Sequence, residues 1–128
     1  MDDEKVFSIE RLYDYSKFHI GLYTSIVGGL LAFLNLRQGM IDQVGVLQVV
    51  LTVCLFLAAG AFGGIVCVNC IFHRAHTDQI KHDHKVRLWG VKLPLTIGRA
   101  ADLEHACFWI GLVVLLLSML AAGSSPGE

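Results

Sequence analysis

Apolar residues along this chain fall into three long blocks separated by polar stretches. The first, "FHIGLYTSIVGGLLAFLNL" at residues 18–36, holds no acidic or basic side chain beyond the histidine at its edge. At a helical rise of about 1.5 Å per residue it spans roughly 28 Å, close to the ~30 Å hydrocarbon core of a bilayer. The second block, residues 44–72, makes a helix of roughly 43 Å, which must tilt or project past the membrane. The third, "ACFWIGLVVLLLSMLAAG" at 106–123, again matches one membrane thickness. The pattern predicts an all-α integral membrane protein: one membrane domain over 1–128, with three transmembrane helices.

Between the blocks the pattern changes. In "SIERLYDYSK", Ile9, Leu12 and Tyr13 recur at helical spacing, with Glu10, Arg11 and Asp14 elsewhere on the wheel. This predicts an amphipathic N-terminal segment at 5–17, lying at the interface or continuing into the first span. The connection "RQGMIDQ" is tight, whereas 73–105 is a polar segment rich in basic residues and histidine, expected as a loop. The acidic opening "MDDEKVFSIE" lacks the positive n-region of a cleavable signal peptide.

Composition sharpens this picture. Hydrophobic residues make up 55% and charged residues 16% of the 128 positions, against about a quarter charged in soluble domains. Lys5, Arg11, Lys17, Arg74, Lys81, Lys85, Arg87, Lys92 and Arg99 share one side of a three-span topology, and only Arg37 faces the other. The positive-inside rule puts the N-terminus and the 73–105 loop in the cytoplasm and the C-terminus outside an inner or plasma membrane.

The spans, so bounded, contain no Asp, Glu, Lys or Arg, which argues against a proton-coupled pump or ion-coupled transporter. No nucleophile or carboxylate constellation points to an enzyme. Small residues are patterned instead: Gly21, Ser25, Gly28 and Gly29 in the first span, and Gly60, Gly63 and Gly64 in the second, where Gly60 and Gly64 form GxxxG. Such residues let helices approach closely in lipid, within one subunit or between copies. Cys67 and Cys70 continue the glycine stripe. Thr24, Ser25, Asn35, Gln48, Thr52, Asn69 and Ser118 are the polar residues available to line a pore.

"CVNCIFHRAHTDQIKHDH", residues 67–84, reads as C-x2-C-x2-H-x2-H. A zinc ion needs four ligands within about 2.0–2.3 Å. On one continuous helix Cys67 and His76 point to opposite sides and stand roughly 13 Å apart, so all four cannot meet one ion. His73, His76, His82 and His84 instead gather in a layer with His19 and His105. They read as solvated interfacial groups, as ligands of a transition metal, or as a pH-sensitive cluster. An extended "HDH" would place His82 and His84 on one side of a strand.

"KVRLWGVKLPLTIG" interleaves Lys85, Arg87 and Lys92 with apolar residues and Trp89, followed by Arg99. These residues suit contact with lipid headgroups, or docking of a cytoplasmic protein or a nucleotide. The stretch "RAADLEH", with Arg99 and His105, is similar to the R-x4-6-H pattern of nucleases of the higher-eukaryote-and-prokaryote nucleotide-binding class. In that family the pair acts within a soluble helical domain, for which this chain has no room. Small CRISPR-associated membrane proteins that form pores carry a degenerate version, so the resemblance implies an effector rather than a nuclease.

The expectation is a small, non-enzymatic, homo-oligomeric membrane protein that forms a pore or channel and perturbs the membrane on a cytoplasmic cue. Its partners would be membrane lipids, further copies, and a cytoplasmic protein or nucleotide at 73–105; it requires no cofactor. The alternative is a membrane-anchor subunit of a larger complex, binding a metal or haem through interfacial histidines.

Overall fold

The computed structural model describes residues 6–36 and 45–123. Position 5, the connection at 37–44 with Arg37, and the tail after Gly123 lie outside the described residues. In chain order the elements are β1 (Val6–Ser8), α1 (Ile9–Leu36), α2 (Val46–Arg74), β2 (Gln79–Lys81), β3 (Lys85–Leu88), β4 (Val91–Thr96) and α3 (Ile97–Gly123). The three helices are long and apolar enough to cross a membrane. α2 is the central one, packing along both α1 and α3.

Of the N-terminal segment expected at 5–17, Val6–Ser8 form β1, and the residues from Ile9 run without a break into the first span as α1. Ile9, Leu12, Ser16 and Tyr23 are buried at a three-and-four spacing, while Glu10, Arg11 and Asp14 are exposed. That periodicity keeps one face of α1 turned toward its neighbours through the change from polar to apolar composition.

The 73–105 segment departs from the expected loop in two ways. Its β2 pairs antiparallel with β1 from the N-terminal end and its β3 with β4, making two small sheets, and its last nine residues, from Ile97, are already helix. β3 and β4 alternate Val86 and Leu88 with Val91, Leu93 and Leu95, the period-two pattern of strands. They are joined by a two-residue turn in which Trp89 (φ 47) and Gly90 (φ 83) both adopt positive φ, the signature of a type I′ hairpin. Val86 and Ile80 are buried with Ile9, Leu12, Val66, Cys70, Ile97 and Ala100. The strands therefore cap one end of the bundle and share its buried core.

"HDH" is a turn and not a strand: the His84 amide donates to the Lys81 carbonyl at 3.0 Å. The turn also starts α3. Carbonyls of His84 and His82 accept the amides of Ile97 and Gly98, each at 2.9 Å, and the Thr96 hydroxyl accepts from the Arg99 amide at 3.3 Å. Three of the first-turn donors that a helix leaves unpaired are thereby satisfied. α3 thus begins at Ile97, nine residues before the apolar block at 106, and carries Glu104 into the bundle.

Candidate functional site

Glu104 is the finding that hydropathy alone missed. Bounding the third span at 106 left this carboxylate in the loop, yet its side chain is fully buried. The signal is present in the sequence. Ile97, Ala100, Glu104, Gly111 and Ser118 follow a three-, four- and seven-residue spacing, and all five are buried. Glu104 thus lies in the middle of the stripe that α3 turns inward.

The residues around it come from all three helices. Tyr23 on α1 donates its hydroxyl to Glu104 Oε1 at 3.0 Å. His19, one turn earlier, places Nδ1 3.7 Å from the same oxygen and keeps 17% of its side chain exposed. His19 and Tyr23 lie roughly 3 and 9 Å along α1 past Lys17, the last charged residue on that helix. From α2, Gly63 supplies space: a Cβ there would stand 3.0 Å from Oε1, 3.1 Å from Cδ and 3.2 Å from Ile20 Cγ1. A fully buried carboxyl costs several kcal/mol unless it is hydrogen-bonded and paired or protonated. Tyr23 and His19 are the groups placed to do this.

His105 and Tyr15 close the outer side. His105 Nδ1–H donates to the Ala101 carbonyl at 2.8 Å, which fixes the tautomer and leaves Nε2 to accept the Tyr15 hydroxyl. The Tyr15 ring meets His19 edge-on with centroids 3.9 Å apart, and His105 lies 5.6 Å from His19. A surface groove bordered by Phe7, Arg11, Asp102, Tyr15 and His105 ends on this pair. Ser16 Oγ, His19 Nδ1 and Glu104 Oε2 are buried without a hydrogen-bond partner among the described residues.

The other histidines form no single centre. His73 and His84 meet, with ring centroids 4.4 Å apart, and His73 Nδ1–H donates to the Asn69 carbonyl at 2.8 Å. His76 borders an open groove with Phe72, His73, Arg87 and Trp89. His82 leaves the group: its ring lies on Gly98, where no Cβ intervenes, and against Phe7 at 5.6 Å. Among the described residues, no three of His, Cys, Asp and Glu are placed to hold one metal ion. Partial burial, together with the positive charges of His73, Arg87 and Lys92, holds the His84 imidazole below its ordinary pKa.

The remaining candidates divide by environment. Open space surrounds the missing Cβ of Gly21, Gly28, Gly29, Gly60 and Gly64. Ser25 is exposed and donates to the Gly21 carbonyl at 2.8 Å. Cys67 and Cys70 are buried free thiols, Cys67 lying 3.9 Å from the Tyr13 carbonyl. Asn69, a candidate pore residue, is buried: its amide donates to the Ile65 carbonyl at 2.9 Å and its Oδ1 accepts the Arg87 amide at 2.8 Å. Lys85, Arg87, Lys92 and Arg99 are exposed, and Trp89 retains 93% of its surface. No protein-family model, curated protein or solved structure matches the chain.

Proposed function

We propose that the protein assembles with copies of itself in an inner or plasma membrane and forms a pore or channel that responds to a cytoplasmic cue. The observation that carries this reading is a contrast among the glycines. Gly63 is filled from within the subunit by Glu104 and Ile20, whereas Gly60 and Gly64, the GxxxG pair on the same helix, face open space. Gly21, Gly28 and Gly29 on α1 are equally unfilled. In hydrocarbon, helices gain from glycine faces by close approach, and a second copy supplies that approach.

In this reading the hairpin end is cytoplasmic, with Lys85, Arg87, Lys92 and Arg99 as the positive-inside residues. Trp89 sits at headgroup level, and the hairpins receive the cytoplasmic protein or nucleotide that acts as the cue. The metal- or haem-anchor alternative has less support, because both ring nitrogens of His105 are already engaged, by Ala101 and Tyr15.

Native mass measurement of the purified chain in detergent, with ion flux from liposomes, tests the proposal. A ring of defined copy number that conducts is the expected result. A monomer that passes no ion overturns it.

A further inference from the structure

The apolar blocks at 18–36, 44–72 and 106–123 hold no Asp, Glu, Lys or Arg, and a pore has no use for Glu104. Yet an acid buried between three membrane helices, with a histidine on its open side, is an arrangement for holding and exchanging a proton. We infer that Glu104 is a buried proton-binding site served by His19, with the groove at Tyr15 and His105 as its route from the hairpin-side solution.

The geometry carries each part. Tyr23 donates to Oε1 and fixes the carboxyl, and Gly63 leaves the room it occupies. Three polar atoms of the cluster, Glu104 Oε2, His19 Nδ1 and Ser16 Oγ, have no hydrogen-bond partner among the described residues, although interiors rarely leave such atoms unmatched. They come from two facing helices, with Ser16 and His19 one turn apart on α1. A proton, accompanied by a water, is the ligand small enough to satisfy them from between packed helices. His19 is the intermediate station because, alone among the described residues, it combines partial exposure with a nitrogen 3.7 Å from the acid. Tyr15 and His105 stand between His19 and the groove, each in ring contact with it.

When His19 is an imidazolium, its Nδ1–H bond breaks and an O–H bond forms on Glu104, across one water or after an approach of about 1 Å. The ion pair becomes a neutral acid beside a neutral imidazole that keeps its proton on Nε2. The reverse step returns the proton to the groove. The titratable groups facing Glu104 are Tyr15, His19 and Tyr23 from α1, Cys67 from α2, and His105 on its own helix. None of them is a fixed cation. Without the shared proton, therefore, an uncompensated carboxylate remains between the helices.

The test uses the full chain in lipid vesicles with glutamate labelled at the side-chain carboxyl, followed by infrared or carbon NMR across a pH series. The sequence has only four glutamates, at positions 4, 10, 104 and 128. The expected result is one carboxyl that titrates apart from the others, exchanges its proton for deuterium, and disappears in Glu104→Gln, which preserves the acceptor for Tyr23. His19→Asn should keep that signal and slow its response to a pH jump by roughly 10²-fold, the low end of what a positioned proton carrier contributes. Four glutamates titrating together as exposed groups in the wild-type chain would overturn the site, whether or not any variant folds. An unslowed response in His19→Asn would overturn the route. Neither readout involves flux, so the proton site and the pore reading fail separately.

Discussion

Gly63 on α2 and Glu104 on α3 fit each other: a Cβ added at position 63 would stand 3.0 Å from the carboxyl oxygen that receives the Tyr23 hydrogen bond. The glycine is there for the acid. Gly63→Ala should therefore force the carboxyl off Tyr23, at about 1–3 kcal/mol, the usual range for overpacking a filled site. Gly60→Ala and Gly64→Ala meet open space and replace glycine by a better helix former, worth up to about 1 kcal/mol each in isolation. They should leave the subunit as stable as wild type while weakening association between copies. Unfolding in detergent reads the first effect and native mass measurement the second.

The three helices were legible because apolar runs of membrane length have few other solutions. The inward acid was not, because hydropathy marks where a membrane helix is apolar and not where it begins. Thr96 as a helix cap and the stripe Ile97, Ala100, Glu104 carried the information, but in period and capping rather than in polarity. The strands were hidden for a related reason. The charges of "KVRLWGVKLPLT" suggested an interfacial loop, while its alternation and the Trp89-Gly90 turn encode a hairpin whose Val86 is wholly buried. The partners of His73, His82 and His84 depended on the turn at 81–84, which sends neighbouring histidines to different helices.

Asn69 ties this hairpin to the bundle. The β3–β4 register breaks between Lys85 and Arg87, and there the Arg87 amide is taken by Asn69 Oδ1. Asn69→Ala leaves that amide unpaired, which should cost about 1–3 kcal/mol. Because the bond joins two elements, the loss should fall on the hairpin first. Hydrogen exchange at the Arg87 amide should accelerate markedly, while the mid-membrane amides of α2 around Phe56 keep their protection.

The hairpin end should also weaken in acid. His84 is held below its ordinary pKa of 6.5, first by partial burial and then by the positive charges of His73, Arg87 and Lys92. Between the folded and unfolded pKa values the unfolded chain binds more protons, so stability rises with pH in that window. The contribution is complete above 6.5 and is lost as pH falls through the lowered folded value. Going from about pH 7.5 to about pH 5 should increase exchange at β3 and β4 amides. His84→Asn should flatten the part of this dependence that belongs to His84. An unchanged slope in that variant would place the acid sensitivity elsewhere.

Trp89 occupies a position that its own backbone disfavours. A φ of 47 is left-handed, which costs a non-glycine residue roughly 1–2 kcal/mol, and asparagine is the residue best suited to the first position of such a turn. Trp89→Asn should therefore tighten the hairpin by about 1 kcal/mol, seen as slower exchange at the Leu88 and Val91 amides. An indole kept 93% exposed at that cost is explained if its partner is the lipid interface, where tryptophan concentrates. The chain has two tryptophans, so Trp109→Phe isolates the emission of Trp89. In vesicles that emission should be quenched by lipids labelled near the headgroup and spared by a water-soluble quencher. Quenching from water alone would remove the membrane as Trp89's partner and leave the tip free for a soluble one.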